Sequence, residues 1–115
     1  MAIESLTALE IIEVMENYLT HKRPPEHIRP QLDITYQIEN QSVVIYEVRP
    51  KWNDPKIIRQ HPVAKTTYVK SSNQWKVFWQ RADLKWHSYS PKPTVKQLHE
   101  FLRLVEEDAH HCFWG

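Results

Sequence analysis

Residues 75–89 read Trp75-Lys76-Val77-Phe78-Trp79-Gln80-Arg81-Ala82-Asp83-Leu84-Lys85-Trp86-His87-Ser88-Tyr89 and hold three of the chain's five tryptophans. Side chains alternate between faces along a strand, so a stretch of this kind reads as two strands and a tight turn. With Ala82-Asp83 as the turn, Trp79 faces Trp86 and Val77 faces Ser88 on one side. On the other side Gln80 meets Lys85, Phe78 meets His87 and Lys76 meets Tyr89. One face is then rich in tryptophan, the other in lysine, ring and histidine. The expectation is a two-faced hairpin with a buried Trp79–Trp86 pair.

Working outward toward the N-terminus, residues 63–70 form another strand. A Ser72-Asn73 turn brings Tyr68 opposite Val77, Thr66 opposite Trp79, Thr67 opposite Phe78 and Lys65 opposite Gln80. Lys65, Thr67, Lys76, Phe78, Lys85, His87 and Tyr89 then share one face. Further upstream, residues 31–39 alternate Leu32, Ile34, Tyr36 and Ile38 with polar positions, and residues 43–49 are the partner strand. A loop centred on Gln41 sets Ile38 against Val44, Tyr36 against Tyr46 and Ile34 against Val48, apolar on apolar. Between these two hairpins, residues 50–62 carry three prolines and Asn53-Asp54, which reads as an irregular loop pinned by Ile57 and Ile58. Trp52 is the tryptophan most suited to stand exposed there, either as a recognition residue or as an anchor.

Helices flank the strands. Residues 7–20 carry a Thr7–Glu10 capping box with Ile11, Val14, Met15 and Tyr18 at helical spacing. His21-Lys22-Arg23-Pro24-Pro25 ends that helix, because a residue before proline is pushed out of the helical region. Downstream, Ser90-Pro91-Lys92-Pro93 breaks the last strand, and a Thr94–Gln97 capping box opens a helix with Val95, Leu98, Phe101, Leu102 and Val105 on its apolar side. Phe113 and Trp114 in the tail are expected to dock on the body, since two free aromatics would leave much apolar surface in water. The fold class is α+β: an antiparallel meander of about five strands with N- and C-terminal helices packed on one face, in two layers. At 115 residues the whole chain, 1–115, is read as one domain.

Composition removes several function classes. The net charge of +1 points to no polyanionic partner in bulk. Its distribution is uneven: residues 1–20 carry −4, 21–61 carry +2, 62–96 carry +6 and 97–115 carry −3. The one glycine, Gly115, leaves no phosphate loop, dinucleotide fingerprint or nucleophile elbow. The one cysteine, Cys112, makes no intramolecular disulfide and fits a reducing compartment. There is no secretory signal pattern, and nothing approaches the roughly 20 apolar residues of a membrane span. A soluble cytoplasmic protein without a membrane partner is expected.

Four groups of residues, Arg23-Pro24-Pro25, Trp75-Lys76-Val77-Phe78-Trp79-Gln80-Arg81, Lys85-Trp86-His87-Ser88-Tyr89 and Phe113-Trp114-Gly115, together resemble a bacterial family of short stand-alone proteins, domain of unknown function 3024. The resemblance covers nearly the whole chain. It implies a bacterial origin and supplies no catalytic residues.

The candidate site is therefore drawn from the residues themselves. If the helices cover the tryptophan face, the opposite face presents Lys65, Lys76 and Lys85 around Phe78, His87 and Tyr89. Sheets commonly leave one face wet unless a partner covers it, and such a face suits a protein partner or self-association. Aromatics among cations are also how sheets bind single-stranded nucleic acid, which is the alternative. Trp52 is a further binding candidate, and Arg23 with Arg29 is a candidate anion site. His110, His111 and Cys112, with Asp108 and His99, are a weak metal set, since adjacent histidines point apart in regular structure. His87 with Glu47 or Asp33 is an acid–base pairing that no spacing selects. A non-catalytic binding module without cofactor is the expected function. The competing class is a small enzyme or a metal protein using the His/Cys tail.

Overall fold

The computed structural model describes residues 5–114, with side chains from Ala8 onward. Helix α1, Ser5–Lys22, buries Ile11, Met15 and Leu19, four residues apart, along one stripe. Its last turn closes with the Arg23 N–H donating to Leu19 O at 2.8 Å, and Pro24-Pro25 then blocks continuation. The helix begins before Thr7, so Thr7 is no cap; its side chain and Glu4 lie outside the described residues.

Five strands follow as a meander: β1 Asp33–Glu39, β2 Ser42–Lys51, β3 Asp54–Val69, β4 Gln74–Gln80 and β5 Trp86–Ser88. A short β6, Thr94–Val95, adds to β4 beyond the end of β5, and helix α2 runs Leu98–Glu107. Leu98, Phe101, Leu102 and Val105 of α2 pack with the stripe of α1 on Ile34, Val43, Ile45, Val63, Ala64, Trp75, Val77 and Tyr89. Thr66 lies buried among them, its hydroxyl donating to Lys76 O at 2.8 Å. The α+β meander with both helices is as expected.

The registers differ in three informative ways. The first hairpin pairs Glu39 with Ser42, Ile38 with Val43 and Tyr36 with Ile45, one residue off the expected alignment. Asn40 accepts φ 53, which permits the shorter loop and turns Val43 and Ile45, rather than Val44 and Tyr46, toward the helices. The second hairpin pairs Val69 with Gln74, Thr66 with Val77 and Lys65 with Phe78 around a longer turn with Asn73 at φ 51. That shift is two residues, so its faces stay as expected. The third hairpin pairs Phe78 with Ser88, Trp79 with His87 and Gln80 with Trp86. Here Leu84 takes φ 64 and the Arg81 N–H donates to Lys85 O at 3.2 Å, giving a wider loop than Ala82-Asp83 alone. The one-residue slip separates Trp79 from Trp86 and sends Tyr89 into the core at 2 % exposure.

Two further expectations are corrected. Residues 50–62 are not an irregular loop but the outer half of the β2–β3 hairpin. Pro50 and Pro62 are tolerated there because, beyond Val48 on β2 and Ala64 on β3, each strand has only one neighbour. Thr94 is in β6 rather than capping a helix; α2 has Gln97 as its N-cap, without a side-chain cap hydrogen bond.

Candidate binding face

The face of the sheet turned away from the helices is set by the registers just described. Across it one row runs Gln37, Val44, Lys65, Phe78 and Ser88, and the row beside it runs Glu39, Ser42, Thr67 and Lys76. Lys65 therefore stands on the middle strand, between Val44 and Phe78. Its Nζ lies 5.8 Å from the ring centroids of both Phe78 and Trp86. That is cation–π range, with the lysine stem lying over apolar surface and the charge against two ring faces. Val44 is 3 % exposed although it faces away from the helices, so this side has a small apolar floor of its own. Tyr46, Phe78 and Trp86 are half-buried around it. Burial, and secondarily Glu39, raise the Tyr46 hydroxyl above its ordinary range. The rim is polar: Ser42 and Thr67 share a hydrogen bond at 2.7 Å, and Gln37 Nε2 donates to Gln60 Oε1 at 3.0 Å.

Of the residues expected here, Lys65, Lys76 and Phe78 are present. Lys85 is exposed in the β4–β5 loop. His87 and Tyr89 lie on the helix side of the sheet; opposite Phe78, Ser88 takes the place expected for His87, and opposite Gln80, Trp86 takes the place expected for Lys85. Trp86 and Tyr46 were hidden by the one-residue register slips; a two-residue loop at Asn40-Gln41 in place of an odd one, and an odd loop after Gln80 in place of a two-residue one, are what expose them.

The remaining candidates are dispersed, and both arginines are already partnered. Arg23 grips Asp33 with two hydrogen bonds, Nε to Oδ1 at 2.9 Å and Nη2 to Oδ2 at 2.7 Å. That grip, ahead of all other causes, holds the Asp33 carboxyl below the usual carboxylate range. Arg29 donates through Nε to Pro24 O at 3.0 Å and braces the connector. Neither guanidinium opens an anion site with the other. Glu47 is paired with Arg49, and His87 Nε2 meets Asp83 Oδ2 at 2.8 Å. Each carboxylate weighed as a partner for His87 thus has a cation of its own. Trp52 is 92 % exposed at the tip of the β2–β3 hairpin.

The tail forms a closed clasp. Asp108 ends α2 with φ 41, and its carboxylate accepts from the Phe113 N–H at 3.0 Å and the Trp114 N–H at 2.9 Å. Trp114 Nε1 donates to Val105 O at 2.9 Å, and Lys22 Nζ sits 4.5 Å over the indole. His110 meets Tyr89 edge-on at 6.3 Å, and Phe113 packs against Tyr89 at 4.9 Å with the rings tilted by 44°. Cys112 turns its thiol toward His110 O at 3.7 Å, and burial, then Asp108, raises its pKa and disfavours the thiolate. Among the described residues no group of three or more His, Cys, Asp or Glu is gathered closely enough to hold a metal ion. No described helix is long and apolar enough to cross a membrane.

No curated protein and no solved structure matches the chain. A family model, Domain of unknown function (DUF3024), matches residues 3–115. The match takes in α1, the whole meander, the open face and the clasp, and the chain belongs to that family.

Proposed function

We propose that the protein is a non-catalytic binding module whose open sheet face receives a second copy of the chain or another protein. The observation that carries this reading is Lys65 held between Phe78 and Trp86 at the centre of a face on which neither helix packs. Protein interfaces have this anatomy, with aromatic and aliphatic groups at the centre and polar groups at the rim. Here the centre is Val44, Tyr46, Phe78 and Trp86, and the rim includes Gln37, Glu39, Gln60 and Lys76. Glu39 on β1 and Lys76 on β4 stand in the same row with opposite charge. A two-fold axis along the strands between β2 and β3 brings each over the other's counterpart in a second copy, an arrangement that favours self-association. The groove between α1 and α2 is a weaker candidate, because Tyr18 and Lys22 on its wall are already bound to Glu106.

The test is sedimentation of the full chain over a concentration series. Phe78→Ala with Trp86→Ala is expected to weaken self-association at least tenfold while leaving the circular dichroism spectrum and cooperative melting in place. A wild-type chain that stays monomeric at high concentration and captures no protein through this face overturns the reading. The same Lys65, Phe78 and Trp86 cluster suits base stacking beside a phosphate, so single-stranded nucleic acid is the second reading. Salt-dependent oligonucleotide binding that is lost in the double variant selects it over the first.

A further inference from the structure

The β2–β3 hairpin runs well past its neighbours. β1 stops pairing with β2 at Val48, and β4 stops pairing with β3 at Ala64, so Arg49↔Arg59, Pro50↔Ile58 and Lys51↔Asp54 form a two-stranded arm. Between the last two pairs the register jumps, and Pro55, Lys56 and Ile57 bulge out on one strand near the tip. Residues 55–61 are all exposed. At the tip stand Trp52 at 92 %, Ile58 at 56 % and Ile57 at 42 % exposure, three large apolar side chains within seven positions. Arg49, Lys51, Lys56 and Arg59 lie among them along the two strands, with Asp54 as the counter-charge. Arg49 is occupied by Glu47, whereas among the described residues Lys51, Lys56 and Arg59 form no ion pair.

Two features narrow what such an arm meets. Its edges carry Pro50, Pro55 and Pro62 together with Lys56 and Arg59, which blunt a strand edge against pairing with another strand. The arm therefore presents side chains, not backbone. Stacking on nucleic-acid bases uses rings, and only one of the three apolar side chains here is a ring. A lipid interface uses all of them. Cations meet phosphates, an indole settles at headgroup depth, and aliphatic side chains reach just below.

We infer that the tip of this arm, Trp52, Ile57 and Ile58 with Lys51, Lys56 and Arg59 beside them along the hairpin, docks on an anionic phospholipid surface. The charge distribution supports that orientation: residues 1–20 and 97–115 carry −4 and −3, so the acidic helical segments are steered away from a negative surface and the basic strands toward it. Such contact is shallow and calls for no membrane-spanning helix, and it departs from the expectation of no membrane partner, which rested on the lack of a spanning segment. It stands apart from the open-face reading, since it uses none of Lys65, Phe78 or Trp86.

The experiment is co-sedimentation of the full chain with vesicles of phosphatidylcholine alone, and of phosphatidylcholine with roughly one-third phosphatidylglycerol. Binding is expected to the anionic vesicles only, and to fall as salt rises. Replacing Lys51, Lys56 and Arg59 together by Gln is expected to weaken it on the order of 100-fold, given about 1 kcal/mol for each cation near such a surface. Trp52→Ala with Ile58→Ala is expected to weaken it about tenfold with melting unchanged, while Phe78→Ala with Trp86→Ala leaves it intact. Failure to bind anionic vesicles overturns the inference. So does binding indifferent to Trp52 and Ile58, or a Trp52-dependent preference for a single-stranded oligonucleotide over the vesicles.

Discussion

Lys22 over Trp114 and Lys65 between Phe78 and Trp86 are the same chemistry in two settings. At the clasp the buried polar side-chain atoms described all have partners within the chain. Asp108 takes two backbone N–H groups, the indole N–H reaches Val105 O, and Glu106 takes both Lys22 and Tyr18. On the open face Lys65 has rings beneath it and, among the described residues, no carboxylate. The first arrangement spends its interactions on closing the fold. The second leaves a cation and two rings toward solvent, where a partner can use them. An aromatic–cation cluster thus points to binding only where its polar groups are not already satisfied by the chain itself.

The sharpest way to break this comparison is to remove one ring from each side of it. Tyr89, under His110 and Phe113, belongs to the closed region, and its replacement by Ala is expected to cost about 3–5 kcal/mol in denaturant unfolding. Trp86→Ala, three residues earlier on the open face, is expected to cost about 1 kcal/mol or less. Equal costs would mean that the open face is core, and the distinction would fail.

Next in size is Asp108→Ala, which strands the Phe113 and Trp114 N–H groups at a buried site. A loss of about 2–3 kcal/mol is expected, with faster amide exchange confined at first to the tail. Asp108→Asn, which keeps one acceptor oxygen, should fall between that variant and the wild type.

The smallest effect concerns Arg23, next to Lys22 at the closed end. Arg23→Met is expected to cost about 0.5–1 kcal/mol at neutral pH, modest because the Arg23–Asp33 pair is partly exposed. Asp33 is depressed below its ordinary value of 3.8, so the pair contributes fully above that value. As pH falls through and below it, Asp33 takes up its proton and the wild type and variant should converge. A gap that persists into strong acid would mean that Arg23 acts through packing rather than charge.

The β3–β4 faces were legible in the sequence because the turn error there was even. Lys70 to Asn73 replace Ser72-Asn73 as the turn, the register slips by two, and Lys65, Phe78, Val77 and Thr66 keep their sides. At Asn40 and at Leu84 the error was odd, and a period of two turns an odd slip into a reversal of faces. Asn is a familiar occupant of a left-handed position, so the first case was within reach of turn chemistry. A leucine at φ 64 carries no such signal. The arm misled through its prolines, which argue against a strand only where both edges must pair. The site shared this pattern: Lys65, Lys76 and Phe78 were legible, whereas Trp86 and Tyr46 were not.

The hydrogen bond from Tyr18 to Glu106 joins positions 88 residues apart. Every neighbouring pair in the meander is instead joined by a short turn in sequence. Loop-closure entropy grows only slowly with length, so the helical layer can be held as firmly as the sheet at equilibrium. Kinetically the two differ. Hairpins can form from neighbours, but α1, α2 and the clasp meet only after the chain's distant ends have found each other. Opening of the native state is therefore expected to begin with separation of the two ends, leaving β2, β3 and β4 as the last cooperative unit to exchange their amide protons.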